Sequence, residues 1–233
     1  MLRAPRCRTI PGAMAPPVIV SYDGTANDDD ALALGRMLSA GGATLALAYV
    51  RHSREYDPRR EEIGVYDANR RLEHGALWLE EPDIERHVVV DPSTSAGLAK
   101  LAASEGAKLI LFGSDYRTPP GRVEPGGSAQ GLLEGSSVAI GVAAAGLRTR
   151  ADPTIKTISV AGDANGAAHQ TAEDLAAALG AEVLERGDAD LILVDSQSNA
   201  PAGRIALGGS TRAQLESARG SVIVLPRGVA LSF

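Results

Sequence analysis

The feature that most constrains the fold is an internal repeat. The apolar run Leu109–Gly113 (LILFG) matches a second run, Leu191–Asp195 (LILVD). A Gly-Gly-Ser triplet follows each run at the same distance, with its second glycine 14 positions after the run ends, at Gly127 and at Gly209. In both places the triplet precedes a helical pattern and another apolar run. The repeat predicts two units of similar construction within one chain.

Short apolar runs alternate with amphipathic stretches along the whole chain, as expected for buried strands and the helices that cover them. Strands are predicted over 18–22, 44–50, 86–90, 109–112, 138–142, 157–161, 182–184, 191–194 and 222–225. Helices are predicted over 29–39, 63–79, 95–104, 129–135, 171–179 and 211–218. This alternation predicts an α/β fold, an open parallel sheet with helices on both faces. The second half lacks an equivalent of the helix and strand in 63–90.

Composition agrees with a parallel sheet. Aromatic residues make up only 3% of the chain while apolar residues make up 44%, so Ala, Val, Leu and Ile must build the core. The formal net charge of -6 argues against a nucleic acid or an acidic membrane surface as partner. The chain has one cysteine, Cys7, which excludes an internal disulfide and a Cys-based zinc site and agrees with a cytoplasmic location. No apolar run approaches the roughly 18–20 residues of a membrane span.

The predicted organisation has three parts. Residues 1–15 are expected to be a disordered tail, residues 16–147 the first domain and residues 154–233 a shortened second domain. Residues 51–62 are polar and are predicted to form a surface loop. The acidic run Asp28–Asp30 is expected to be a solvated first helical turn, where negative charge interacts favourably with the helix dipole.

Two breaks after predicted strands project from one edge of the sheet, and the glycines that follow the fourth strand suit an anionic ligand. Asp23-Gly24 follows the first strand, and Gly113-Ser114 follows the fourth. The triplet ending at Ser128 is predicted to start a helix at Ala129, with Ser128 as its cap. Glycines allow backbone N–H groups to approach a phosphate closely, and a helix start adds partial positive charge. A Gly-rich connection can also serve turn geometry alone.

Several short motifs occur in a specific order: VIVSYDGTANDDDAL over 18–32, Tyr49-Val50 at the end of the second strand, the Gly-Ser loop, and VIVLPRG over 222–228. In this order the chain resembles a tandem universal stress protein with a shortened second domain. The resemblance covers 17–146 well and 155–228 loosely. It implies an adenine-nucleotide alpha-hydrolase-like (HUP-type) fold with two tandem halves.

The resemblance also implies a site for ATP or AMP, with Mg²⁺ as a companion ion, at the carboxyl ends of the strands. By matching position, Asp23 and Val50 take the nucleoside end, and Gly113, Gly127 and Ser128 take the phosphates. The full set of implied binding residues is Asp23, Gly24, Val50, Gly113, Ser114, Gly127, Ser128 and Ala129. No catalytic residue or protein-held metal is implied. The two halves are expected to form a pseudo-dimer, or the chain a homodimer.

Two departures from the family pattern affect this expectation. The second glycine of the phosphate loop falls at Tyr116, and Pro119 and Pro120 remove two N–H donors from a loop that is one residue too long. In the second half Asp195 stands where a glycine is expected, and its carboxylate would repel a phosphate. The second half is therefore predicted to bind no nucleotide.

Three functions stay open on the sequence. The first is a nucleotide-binding stress regulator without fast chemistry. The second is an enzyme of a related nucleotide-binding α/β superfamily, at most a weak ATPase; it is disfavoured because the chain has neither a Walker loop nor a Gly-x-Gly-x-x-Gly motif. The third is a nucleotide-free interaction module that uses the repeat only for pairing. The four histidines show no metal-ligand spacing.

Overall fold

The structure is a computed structural model that describes residues 18–162, 166–185 and 187–233. The predicted tail over 1–15 lies outside these residues. The strands are β1 (Val18–Ser21), β2 (Leu45–Arg51), β3 (Glu85–Val90), β4 (Leu109–Phe112), β5 (Ala139–Val142), β6 (Thr157–Ala161), β7 (Glu182–Leu184), β8 (Leu191–Asp195) and β9 (Ser221–Leu225). The helices are α1 (Ala26–Ser39), α2 (Pro58–Trp78), α3 (Thr94–Glu105), α4 (Gly127–Leu133), α5 (Ala167–Leu179) and α6 (Gly209–Ser217), with a 3-10 turn at Leu147–Thr149.

All nine strands belong to one sheet, in the order β3-β2-β1-β4-β5-β9-β8-β6-β7. Every neighbouring pair is parallel except β5 with β9. On the far side of that pair, β9, β8, β6 and β7 repeat in mirror order the arrangement of β5, β4, β1 and β2. Within the described residues the second half has no strand equivalent to β3. The predicted α/β fold is therefore confirmed, with one antiparallel pair in a sheet that was expected to be parallel throughout.

Helices cover both faces of the sheet. On one face α1, α2 and α5 pack against side chains such as Val20, Leu47 and Leu193. On the other face α3 and α4 pack against Ile19, Ile110 and their neighbours, together with side chains from α6. Both layers consist largely of Ala, Val, Leu and Ile, as the composition predicts. Among the described residues no helix is long and apolar enough to cross a membrane.

The two halves meet where β5 pairs with β9. Val142 is opposite Val222 and Ile140 is opposite Val224, so the register is centred on Gly141 and Ile223. Because the repeat places the same two elements on either side of this centre, the pairing defines a pseudo-twofold axis through the sheet. A Cβ at Gly141 would meet the end of the Leu111 side chain on β4, so a larger residue at the centre of the seam would have to displace that side chain.

Two equivalent loops reach across this seam. In the first half Arg122 donates from Nη1 to the carbonyl of Ser217 at the end of α6 (2.8 Å). In the second half Arg204 donates from Nη1 to the carbonyl of Gly135, just beyond α4 (3.1 Å). Arginine thus satisfies carbonyls that a helix end leaves without an internal partner. Each loop therefore contributes an arginine that binds the other half.

The expectation of a surface loop over the whole of 51–62 is wrong at both ends: Arg51 is the buried last residue of β2, and α2 begins earlier than predicted and takes the last five residues. Asp57 caps the helix by accepting a hydrogen bond from the N–H of Arg59 (2.8 Å), and Pro58 occupies the first helical position, where no N–H is needed. Glu61 then accepts two hydrogen bonds from the Arg51 guanidinium, at 3.0 and 2.8 Å. This pairing lowers the pKa of Glu61 to about 2.

Helix α4 also begins earlier than predicted, and the role of Ser128 as its cap is wrong. The capping position is held by Gly126, which has an extended conformation (φ -68°, ψ 169°). Gly127 is the first helical residue, so Ser128 lies inside the first turn. Glycine is among the residues that are favoured at the N-cap of a helix.

The acidic run at the start of α1 is not uniformly solvated. Asp30 is 1% exposed, contrary to expectation. Its carboxylate accepts hydrogen bonds from the backbone N–H groups of Gly146 (2.9 Å) and Arg148 (2.8 Å) and pairs with the Arg148 guanidinium (2.6 Å). Asp30 thus ties α1 to the segment that follows β5.

Replacing this carboxylate should destabilise the fold. Asp30→Ala leaves the Arg148 charge and two N–H groups without their partner, so we expect a loss of about 3–5 kcal/mol in the free energy of unfolding. Urea denaturation followed by circular dichroism measures it. The control is Glu173→Ala, because the Glu173 side chain is 66% exposed and its charged partner among the described residues is His169; it should change stability by less than about 0.5 kcal/mol. Equal stability of the two variants would contradict this account.

Candidate functional site

A cavity of about 580 Å³ opens at the carboxyl ends of β1, β2 and β4. The size lies within the range of roughly 300–1,000 Å³ found for small-molecule sites. First-turn residues of α1, α3 and α4 border it, so three helix N-termini face one space. The cavity is lined by Ser21, Tyr22, Asp23, Asp28, Ala48, Tyr49, Val50, His52, Thr94, Phe112 and Ser128.

The structure brings three of the eight predicted binding residues together in this cavity: Asp23, Val50 and Ser128. Gly24 lies beside it, in a neighbouring depression that includes Arg71. Ala129 is buried in the core between α4 and the sheet. These positions follow from the parallel strands, whose carboxyl ends share one edge.

Gly113 has a packing role. A Cβ at this position would meet the carbonyl of Asn27, in the first turn of α1. The glycine therefore allows α1 to approach the end of β4 closely. Ser114 is 4% exposed, and its hydroxyl donates to the carbonyl of Ala143 (2.7 Å), which places it away from the cavity.

The loop between Gly113 and Gly127 turns towards the seam and does not cover the cavity. Its backbone pairs with the segment after β5, through Gly121 N–H to the carbonyl of Ala145 (2.8 Å) and the return bond from Ala145 to Arg122 (2.9 Å). Gly121 has φ +79°, a left-handed conformation that glycine adopts readily. The two prolines of this loop therefore belong to an element that joins the halves.

Ser128 and the start of α3 form one wall of the cavity. The carbonyl of Ser128 accepts a hydrogen bond from the hydroxyl of Ser95 (2.8 Å), and a Cβ on Gly131 would lie 2.9 Å from that hydroxyl. The first turns of α3 and α4 are thus held close together. Among the described residues the Ser128 hydroxyl has no hydrogen-bond partner, so it can donate to a ligand.

Sequence reasoning missed Tyr49, His52 and Thr94 as lining residues. His52 Nε2 lies 3.0 Å from the hydroxyl of Thr94, and the two link the end of β2 to the start of α3. The order of strands and helices along the chain could have identified Thr94. Thr94 follows β3, so its helix had to start at the same edge of the sheet as the other strand ends.

The Tyr22 side chain holds α1 and α2 against the end of β1. Its hydroxyl donates to Asp29 (3.2 Å) and lies 2.7 Å from Nδ1 of His74. Burial, followed by the charge of Asp29, raises the pKa of Tyr22. The hydroxyl thus remains protonated and positions both helices beside the cavity.

Two carboxylates give the cavity an acidic side. Asp28 accepts hydrogen bonds from the N–H of Asp23 (2.9 Å) and from the hydroxyl of Thr25 (2.9 Å). Asp23 in turn accepts from the N–H of Thr25 (3.0 Å). Desolvation and the nearby Asp23 carboxylate raise the pKa of Asp28 to about 7. The charge of this side therefore changes near neutral pH.

A scan against protein-family models and a search of curated proteins give no match. Solved structures do match over most of the chain. A universal stress protein from Archaeoglobus fulgidus is 17% identical with a TM-score of 0.66, covering 91% of this chain and 98% of its own. The chain has the universal stress protein fold. This confirms, for the fold, the resemblance found in the sequence motifs.

Two structures from Pseudomonas aeruginosa share the universal stress protein fold with this chain. One is a putative universal stress protein, 15% identical with a TM-score of 0.59, covering 92% of this chain and 95% of its own. The other is described as functionally unknown, 14% identical with a TM-score of 0.59, covering 92% and 94%. These alignments extend over both halves of the chain.

The second half has its own cavity at the equivalent place in the universal stress protein fold, of about 510 Å³. Asp195 lines it, and its carboxylate accepts a hydrogen bond from the N–H of Ala168 in the first turn of α5 (2.9 Å). A Cβ on Gly162 would collide with the Asp195 side chain. Asp163, the counterpart expected for Asp23, lies outside the described residues.

Asp28 should make stability depend on pH. A folded-state pKa above the ordinary value means that the folded protein keeps a proton that the unfolded chain loses between about pH 4 and pH 7. The free energy of unfolding should therefore fall as pH rises through this window, with a slope from this group of at most about 1.4 kcal/mol per pH unit. Asp28→Asn keeps an oxygen acceptor but cannot titrate, so the slope should become shallower. Urea denaturation at pH 5, 6, 7 and 8 compares the two proteins; parallel curves would refute the assignment.

Proposed function

We propose that this protein is a stress-response regulator of the universal stress protein type whose first half binds ATP or AMP. The observation that carries the proposal is the cavity at the carboxyl ends of β1, β2 and β4. Three residues implied by the family resemblance, Asp23, Val50 and Ser128, converge there. Open α/β sheets bind ligands at this edge, in the crevice between strand ends.

The proposed ligand has a defined orientation. Its nucleoside lies between Asp23, which can bind a ribose hydroxyl, and the backbone at Val50, which can meet the adenine edge. Its phosphates lie against Gly127 and Ser128. This orientation is supported by charge, because the acidic pair Asp23 and Asp28 would repel phosphates placed beside it.

A magnesium ion would accompany ATP through the phosphates rather than through a protein cage. Mg²⁺ commonly binds through substrate phosphates and retained waters. The candidate carboxylates are already used, since Asp28 accepts hydrogen bonds from Asp23 and Thr25. We assign no fast hydrolysis to the site. His52 lies beside the Thr94 hydroxyl rather than beside a carboxylate that would orient it as a general base.

A second function is favoured by a different observation. The loop that the family pattern assigns to phosphates is used here to join the halves, through Arg122 and its counterpart Arg204. A nucleotide-free pairing module of the same fold would use the loop in just this way. Nucleotide titration separates the two proposals.

Two glycines offer a matched test. A Cβ on Gly127 or on Gly209 would meet nothing within 4 Å, and each is the first residue of its helix, so valine should be tolerated at either position. Calorimetric titration with ATP, with and without Mg²⁺, and with AMP should show one site per chain in the wild type. Gly127→Val should weaken binding at least about tenfold, a loss of about 1.4 kcal/mol, because the side chain blocks the phosphate approach.

Gly209→Val should bind as the wild type does, because Asp195 makes the second half unsuitable for phosphate. Thermal unfolding of both variants checks that the fold is retained. No binding by the wild type at millimolar nucleotide would favour the pairing module. Loss of binding in Gly209→Val but not in Gly127→Val would place the nucleotide in the second half and contradict the proposal.

A further inference from the structure

The opposite edge of the sheet carries a cluster of metal-ligating side chains. Glu85 and His87 are two residues apart on β3 and so project to the same face. Glu105 is the last residue of α3, which covers that face. Since α3 runs back along the sheet, its end lies at the amino ends of the strands. The cluster is thus separated from the nucleotide cavity by the length of the strands.

His87 is the central group of this cluster. Its Nε2 atom is buried and, among the described residues, has no hydrogen-bond partner. The nearest oxygen is Oε1 of Glu85, at 3.5 Å, too long for a good hydrogen bond. A buried polar atom without a partner costs free energy, so such atoms need an explanation.

A cation between the three side chains would supply the missing interaction. One ligand atom from each of Glu85, His87 and Glu105 lies within 4.8 Å of the other two. Within the described residues this is the sole cluster of three or more such groups at metal-binding distance. Sequence spacing does not indicate this cluster, because Glu105 is remote from Glu85 and His87 along the chain.

We propose that Glu85, His87 and Glu105 bind a divalent first-row transition-metal cation of the Zn²⁺ class. Imidazole selects Zn²⁺ and its neighbours over Mg²⁺ and Ca²⁺, and two carboxylates complete a three-ligand protein set. Tetrahedral Zn²⁺ with bonds of about 2.0–2.2 Å separates its ligand atoms by roughly 3.3–3.6 Å. The 3.5 Å between His87 and Glu85 already fits this geometry.

Binding requires only a small rearrangement of the third ligand. The Glu105 side chain is partly exposed, so there is room for its carboxylate to turn towards the other two. Water fills the fourth position, as it does in sites with three protein ligands. The ion would join the edge strand β3, whose pairing partner within the described part of the chain is β2, to the end of α3.

The competing explanation is a simple ion pair between protonated His87 and the carboxylates. The chain contains a matched example in His169 and Glu173, one helical turn apart with 3.4 Å between nitrogen and oxygen. That pair has no third metal-ligating group within reach among the described residues. It is therefore the natural control for cation binding.

Calorimetric titration with ZnCl₂ tests the proposal on the full chain, in a Cys7→Ser background that removes the cysteine as a competing ligand. One Zn²⁺ per chain is expected. Removing a residue that merely hydrogen-bonds to a metal ligand already costs about 10–100-fold in metal affinity. Removing a ligand itself, in His87→Gln or Glu105→Gln, should therefore weaken binding at least about tenfold. His169→Gln should bind as the parent does.

Two further measurements keep the outcome clear. Co²⁺ in place of Zn²⁺ should give intense visible absorption bands of a tetrahedral site, and His87→Gln should abolish them. Excess Zn²⁺ should raise the thermal midpoint of the parent but not that of the Glu105→Gln variant. Because the Glu105 side chain is partly exposed, this substitution should leave the fold intact, so misfolding would not account for the lost effect of Zn²⁺. Absence of stoichiometric binding, or equal binding by the parent and His87→Gln, would overturn the proposal.

Discussion

The antiparallel pairing of β5 with β9 is the interaction on which the rest of the molecule depends. Both strands are buried throughout. If the halves separated, each would expose an apolar strand edge, which is a template for aggregation. The pairing converts two incomplete sheets into one of nine strands. It also fixes the two Gly-Pro loops, because their arginines can reach the opposite helix ends only when the strands are in this register.

Most of the fold follows from local sequence pattern. The predicted strands agree with the structure to within one residue at each end. Short runs of β-branched residues and leucine between turn residues are typical of buried strands, so the local pattern is enough to locate them. Errors arose where distant residues decide the outcome. Asp30 is buried because Arg148 and its backbone are brought to it by the fold, and no local pattern indicates a partner 118 positions away. The early start of α2 is a local exception, because Asp57-Pro58, a cap followed by a proline, indicates it in the sequence.

The candidate site was predictable in outline and not in detail. Strand-end reasoning brings Asp23, Val50 and Ser128 to one cavity because parallel strands end at one edge. The same reasoning could not distinguish a glycine that makes room for a ligand from a glycine that makes room for a neighbouring segment of backbone. Gly113 is the second kind, since the carbonyl of Asn27 occupies the space beside it.

The covalent link between the halves has a consequence for how the seam behaves in solution. Residues 143–156 connect β5 to β6, so the two strands of the seam can never diffuse apart. Association within one chain proceeds at an effective concentration of the order of millimolar for a short connection, whatever the protein concentration. A seam between separate subunits would weaken on dilution, whereas this one is insensitive to it. Cellular abundance therefore cannot regulate the pairing of the two halves.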